Sequence, residues 1–393
     1  MGDFGYRYLV ATRFFRSVAL VYANVAMPLY LVALNIKIEY IGLVILGVII
    51  FNMTVSFISG MLGDRIGYKY SLLTVEILAL IGITILALAT NIYFIIIGII
   101  LGGITGGGGA IRGSMSAGLT AFIANNWENE KERSRRLAQM VILGGIGSVF
   151  GSALLYFNMP LSEIFGNAGA YRAIFAFAAL MLLLSAAMLT LIEDSKRPKK
   201  TTKVMKIGSL RYSLRVISAN LTTGMGIGIS VPLLPLWFAL TYHLNTTSLS
   251  YIFVSYYAVT AIGAYFASRL IHRFNLVNVA SVSRLVNGAA LVAMALSPFA
   301  IMAAVLYEVY GFAAAFGASS RSTVNVRGIH KEDYGAASTM QGVAMNTSQL
   351  TSGLSGYALE YALPLPLIIG GLLQFSGGII YKKFMKNSTA AVD

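Results

Sequence analysis

Charge is what this chain has least of. Of its 393 residues, 57% are hydrophobic and only 11% are charged, against about 25% charged in a soluble globular domain. That is too little charge to cover a water-facing surface, and a soluble fold is excluded. Cysteine is absent, which removes disulfides, zinc–thiolate sites and thiol nucleophiles. The three histidines, His243, His272 and His330, stand far apart with no metal-ligand spacing. No Asp pair or Ser–His arrangement lies within the apolar stretches, so neither an enzyme nor a cofactor is expected. Acids are scarce as well, 15 Asp and Glu against 29 Lys and Arg, for a formal net charge of +14.

What fills the space is apolar sequence in long runs. Residues 18–34, 41–62, 92–111 and 289–306 carry almost no charge, and about 20 apolar residues cross the roughly 30 Å of hydrocarbon in a bilayer. The runs are apolar all round rather than alternating, which favours helices over a transmembrane β-barrel. Arg13 and Arg16 precede the first run, but it is too long for a signal-peptide core and is expected to stay as the first span. Hydropathy with charged or Gly/Pro punctuation gives twelve spans, near 14–34, 41–62, 71–90, 92–125, 137–157 and 170–192 in the first half. In the second they lie near 214–240, 249–270, 277–296, 301–324, 336–358 and 364–382.

The bases then fall on one side. With an even number of spans and both termini cytoplasmic, only Lys37 and Arg172 lie in external loops, while Arg112 and Arg284 lie within spans. The other Lys and Arg residues gather at cytoplasmic ends, which is the positive-inside pattern. It accounts for the +14 as topology and as attraction to anionic inner-leaflet lipid, and it argues against nucleic acid as a partner. The polar segment 193–212, basic around Pro198, divides an N-terminal bundle at 1–192 from a C-terminal bundle at 213–393. It reads as a cytoplasmic linker.

The two halves echo one another. Met27-Pro28-Leu29-Tyr30 in the first span is answered by Leu234-Pro235-Leu236-Trp237 in the seventh. Gly63-Asp64-Arg65-Ile66 after the second is answered by Ala267-Ser268-Arg269-Leu270 after the eighth. The charged loop 130–136 is answered by Lys331-Glu-Asp333. A parallel duplication of six spans places a substrate path between the halves near the bilayer midplane.

The stretch Gly60-Met-Leu-Gly63-Asp64-Arg65-Ile-Gly67-Tyr-Lys69 carries the most specific signal. It resembles the signature between spans two and three of the major facilitator superfamily, roughly G-x-L-x-D-R-x-G-R-K, and departs from it at Tyr68, where a base is usual. Arg112 in span four, Tyr171-Arg172-x-x-Phe175 at the start of span six and the eroded copy at 267–273 support the likeness. The resemblance implies an all-α membrane protein of two six-helix bundles that rock about a central cavity. It also implies that Asp64 caps a helix of the other half while Arg65 and Lys69 join a cytoplasmic ion-pair cluster. Together with Gly60 and Gly67, these residues would form a conformational latch.

Ionisable groups inside spans are costly, and each is a functional candidate by default. Arg112 lies about a dozen residues, or roughly 18 Å of helical rise, from the end of span four. It is a candidate for binding an anionic substrate group or for governing a nearby acid, with bonding to backbone carbonyls as the structural alternative. Glu308, inside span ten, is the proton-coupling candidate. Glu76 and Arg284 occupy equivalent places in spans three and nine, close enough to the cytoplasmic side for snorkelling to account for them.

Asn24, Asn220, Trp237, Tyr256 and Tyr257 are candidates for lining the cavity, since amphipathic aromatics give contact without charge. The first span has no acid and span five has no Gly-Pro pair, two departures from the superfamily's drug–proton antiporters. The glycine spacing Gly147-x-x-x-Gly151 reads as a close helix contact. Gly106-Gly-Gly-Gly109 lacks the Lys-Ser/Thr of a phosphate loop and reads as a thin helix wall.

The expectation is a monomeric secondary transporter of the cytoplasmic membrane, moving a small organic solute by alternating access with protons as a candidate coupling ion. The competing reading is an uncoupled membrane sensor or lipid-handling protein on the same fold. Composition leaves the solute and the direction of transport open.

Overall fold

Where the apolar runs stand, the computed structural model places helices. It describes residues 3–106, 122, 130–192, 205–270, 274–330 and 333–386. In chain order these are α1 (Asp3–Ala33), α2 (Ile38–Ile66), α3 (Tyr68–Leu88), α4 (Ile92–Gly102), α5 (Glu130–Ala153), α6 (Asn158–Thr190) and α7 (Ile207–Ser230). The chain continues through α8 (Leu234–Tyr242), α9 (Thr246–Leu270), α10 (Leu276–Ala295), α11 (Ala300–Val326), α12 (Tyr334–Ser348), α13 (Ser355–Tyr361) and α14 (Leu365–Lys386). Among the described residues eight helical stretches are long and apolar enough to cross a membrane, or nine if α7 and α8, bent by 47° at the break between them, count as one span. Large apolar side chains such as Phe57, Ile81 and Val305 face outward from these helices, as lipid contact requires.

Contacts divide the chain into two compact units. One holds Met1–Thr201 with Phe238–Val254, the other Thr202–Trp237 with Ser255–Asp393. In the first, α1 is the central element, with buried Val21, Tyr22, Val25, Ala26 and Met27. Its contact with α5 depends on missing side chains. A Cβ on Gly147 would lie 2.6 Å from the Phe14 carbonyl oxygen, and one on Gly151 would lie 2.4 Å from that of Val18. The two glycines therefore let backbone meet backbone, as their spacing predicts. The segment 238–254 joins this unit where Ser250 Oγ donates to the Ser152 carbonyl at 3.2 Å and Tyr251 packs edge-on to Tyr156.

In the second unit α7 packs against α12 and α14, and α10 against α11 and α14. The N-terminus of α7 has an unusual cap. Lys206 stands at the N-cap, where it supplies no side-chain acceptor; the acceptor comes instead from Asp333, just before α12. Asp333 Oδ2 accepts from the Lys206 backbone N–H at 3.2 Å, and the His330 N–H donates to Ser209 Oγ at 3.1 Å. A hydrogen bond from Ser209, above all, holds the Asp333 carboxyl below its ordinary pKa, and the Lys206 N–H adds to the effect. An acid whose folded-state pKa is depressed stabilises the fold above its unfolded pKa, and loses that contribution as pH falls through the folded value. The melting temperature is therefore expected to fall as pH drops below about 4, and Asp333→Asn to flatten that fall. Identical acid limbs in thermal melts of the two proteins would refute it.

Spans four, five, six and eleven differ from the hydropathy reading, in addition to span seven with its break between α7 and α8. Span four was expected over 92–125, but α4 stops at Gly102. Gly103 takes a left-handed φ of 66° and Gly106 a φ of 76°; a left-handed residue directly after the last helical turn is a common helix stop. Span five and span six are not separated by an open loop, because a 3₁₀ turn at Leu154–Phe157 leads directly into α6, which changes direction at Gly166. Span eleven, expected over 336–358, is interrupted by a 3₁₀ segment at Gln349–Leu354, where Thr351 Oγ1 donates to the Met225 carbonyl of α7 at 2.8 Å. Hydropathy is continuous across the interruptions in spans four and eleven, so the plot does not register them.

Candidate functional site

The membrane-embedded charges are the features most in need of explanation, and they are buried and partnered. Glu76, eight residues past the start of α3, is fully buried, and Arg16 of α1, 4% exposed, forms an ion pair through Nη1 with its Oε2. Arg13, one turn before Arg16, is also buried and within electrostatic reach of both groups. Space for it comes from α5, since a Cβ on Gly144 would sit 3.1 Å from Arg13 Nε. The snorkelling expected of Glu76 is thus corrected: its carboxylate turns inward to a cation on α1.

Arg284, eight residues past the start of α10, behaves the same way in the second unit. It is 3% exposed, donates through Nη1 to the Ala219 carbonyl at 3.2 Å, and donates through Nη2 to Asn220 Oδ1. Its guanidinium lies 4.0 Å from the centroid of the Tyr381 ring, a cation–π contact that compensates part of the lost hydration. Arg321 continues the network, donating to Ser283 Oγ at 2.9 Å and to the Ala314 carbonyl at 2.7 Å. Snorkelling fails here too. In both units a charged residue on the third-type helix (α3, α10) reaches a polar or charged partner on the first-type helix (α1, α7), and the charge signs are reversed between the two.

The remaining candidates separate by location. Asn24 is buried and fully engaged: its Nδ2 donates to the Leu20 carbonyl at 2.6 Å, and its Oδ1 accepts from the Thr105 N–H at 2.9 Å and hydroxyl at 3.3 Å. Asn52 donates to the Gly103 carbonyl at 3.4 Å. These two amides hold the non-helical backbone that follows α4, and buried backbone groups need such partners once the helix ends.

Trp237 of α8 is buried, as are Tyr256 and Tyr257 of α9. Tyr256 stacks on Tyr307 of α11 at 4.0 Å between ring centroids and lies edge-on to Tyr257 at 5.1 Å. Tyr310 extends the stack. The hydroxyls of Tyr257 and Thr260 are buried with no hydrogen-bond partner among the described residues. Glu308, next to Tyr307 in sequence, is half-buried on α11.

Of the latch residues, Gly67 adopts a φ of 105° between α2 and α3, a backbone conformation that favours glycine. Lys69 Nζ donates to the Thr190 carbonyl at 2.8 Å, placing a cation at the C-terminal end of α6, where the helix dipole favours it. The side chains of Asp64 and Arg65, the surroundings of Gly60, and all of Arg112 lie outside the described residues.

Sequence reasoning missed the buried Arg13 and Arg16 and the half-buried Arg321, and it offered Asn220 to the cavity rather than to Arg284. The signal available was the occurrence of these residues inside or beside apolar runs.

A sequence profile of the Major Facilitator Superfamily matches residues 9–347. The chain belongs to the major facilitator superfamily. It is therefore a multi-pass integral membrane protein of a transporter family rather than an enzyme family. Superfamily folds are matched along almost the whole chain. One is an auto-inhibited peptide transporter of the POT family, with a TM-score of 0.75 at 10% identity over 98% of this chain and 97% of that one. Another is a D-xylose–proton symporter, with a TM-score of 0.74 at 15% identity over 98% of each chain. A third is the nucleoside transporter NupG, with a TM-score of 0.72 at 14% identity over 97% of this chain and 99% of that one. At such identities the likeness is one of fold. No curated protein matches the sequence itself.

Proposed function

We propose that this superfamily member is a secondary transporter that carries a small organic solute across the cytoplasmic membrane by alternating access, coupled to protons. Twelve spans in two six-span halves, with both termini cytoplasmic, follow from the basic bias of the loops. The single observation that supports the reading furthest is the buried Arg16–Glu76 pair. A carboxylate and a guanidinium kept among apolar helices are expensive, and a proton on Glu76 would release Arg16, a change that can bias a two-state protein. Glu308 is the second coupling carboxylate under this proposal, and Arg112 the candidate for an anionic group.

The solute is read as neutral and polar or amphipathic. Trp237, Tyr256 and Tyr257 give aromatic surface, and the buried hydroxyls of Tyr257 and Thr260 give hydrogen bonds in place of charge. Solved proteins of this fold named for D-xylose and for nucleosides fit that class.

The decisive assay is accumulation in proteoliposomes under an imposed pH gradient, screened over sugars, nucleosides, peptides and organic anions. Uphill uptake that collapses with the gradient is expected, with Glu308→Gln losing gradient dependence and Asp64→Asn slowing flux at equal expression. Absence of uphill flux for every class would favour an uncoupled sensor or lipid-handling protein. Gradient-driven uptake by Glu308→Gln would remove Glu308 from coupling, and wild-type flux in Asp64→Asn would remove the latch.

A further inference from the structure

One cleft in the first unit is used by none of this. The glycine contact between α1 and α5 ends at Gly144, beside Arg13. One turn nearer the start of each helix a cavity of about 280 Å³ opens, lined by Tyr6, Arg7, Val10, Gln139, Ile142 and Leu143. Its two ends differ in chemistry. At the polar end Tyr6 OH donates to the Arg136 carbonyl at 2.9 Å and to Gln139 Oε1 at 2.8 Å, and the Arg136 guanidinium lies 4.2 Å from the centroid of the Tyr6 ring. Arg7 beside it is exposed. At the other end Ile142 is 57% exposed, and every fourth residue continues an outward apolar stripe along α5 through Ile146 to Phe150. Phe14 of α1 packs edge-on against Phe150 at 5.9 Å.

We propose that this cleft holds one anionic phospholipid, its phosphate at Arg7 and Arg136 and an acyl chain laid along Ile142, Ile146 and Phe150. Charge and shape argue for a lipid together. Two guanidinium groups at one end of an otherwise apolar track match a molecule with a single anionic head and a hydrocarbon tail. A free anion would leave the apolar length of the cleft unfilled. A zwitterionic lipid would bring a cation against Arg7. Basic side chains at a membrane surface each contribute about 1 kcal/mol of attraction to anionic lipid, so the head sets the preference and the stripe sets the position. The occupied cleft would tie the first turns of α1 to α5 where the glycine contact no longer does so.

Native mass spectrometry of the full-length protein in detergent tests this, with dioleoyl phosphatidylglycerol, dioleoyl phosphatidylcholine and inorganic phosphate as probes. The wild type is expected to retain one phosphatidylglycerol in the presence of excess phosphatidylcholine. Arg7→Gln should bind it about fivefold more weakly, and Val10→Trp, which fills the cleft, should lose it. Equal retention of the two lipids, unchanged occupancy in Arg7→Gln, or displacement of the lipid by phosphate alone would each overturn the assignment. Arg7 is on the surface and its replacement leaves the packing untouched, so Arg7→Gln decides the matter even should Val10→Trp fail to fold.

Discussion

Replacing Glu76 by alanine is expected to destabilise the protein by about 3–5 kcal/mol, because it leaves Arg16 charged and buried with no carboxylate to face. The expected readout is a melting midpoint in detergent lower by roughly 5 °C or more. Arg13 sharpens the effect. With Glu76 gone, two guanidinium groups one turn apart on α1 repel each other in a medium that screens them poorly. Removing both partners is a different experiment. Arg16→Met combined with Glu76→Met replaces two desolvated charges with apolar groups, and such exchanges are often neutral or stabilising. The double variant should therefore melt closer to the wild type than either single variant does. A double variant that is worse than the sum of the singles would refute the pair as the cause.

The same variants separate structure from coupling. A pair that only holds α1 to α3 should, once replaced by well-packed methionines, leave transport near the wild-type rate. A pair that takes up and releases the coupling proton should leave the double variant folded but unable to follow a pH gradient. Glu76→Gln adds a third point, since it keeps the side-chain shape and removes only the charge. Stability and flux read on one set of proteins thus decide whether Arg16 and Glu76 belong to the transport cycle.

Why these residues escaped a reading by hydropathy has a geometric answer. Position along a helix gives depth in the membrane at about 1.5 Å per residue, and depth is what makes snorkelling look sufficient for Glu76 and Arg284. Whether a side chain turns outward or inward depends on the rotation of its helix about its own axis, which depends on what the neighbouring helix offers. Arg16 and Asn220 are those offers, and neither stands near its partner in sequence. The break after α4 was hidden for another reason. Gly103 and Gly106 are as compatible with an apolar run as with a helix stop, and the groups that stabilise the stop, Asn24 and Asn52, come from α1 and α2. Patterns that repeat within one helix were legible: the apolar runs, the turn at Gly67 and the glycine pair of α5.

That glycine pair supports the other prediction of large effect. Gly151→Val should destabilise the first unit by about 3 kcal/mol, the upper end of the usual cost of overpacking, with failure to fold at growth temperature as the stronger outcome. The nearest obstacle to a new side chain at 151 is backbone: the Val18 carbonyl oxygen at 2.4 Å and carbon at 3.1 Å. A flexible side chain would rotate aside, but a helix backbone moves only by shifting the helix. Any such shift of α1 relative to α5 also moves Arg16 and Arg13, two and five residues before Val18 on the same helix, out of register with Glu76. Gly166→Val is the internal comparison. It too alters a glycine of the first unit, but no atom lies within 4 Å of a Cβ there, and its cost comes only from a φ of 73°, about 1–3 kcal/mol for a non-glycine residue held in a sparsely populated region. Gly151→Val should therefore depress flux beyond what its loss of stability explains, and Gly166→Val should not. Equal loss of flux per degree of melting temperature in the two variants would show that the α1–α5 contact supports the fold without setting the register of the buried ion pair.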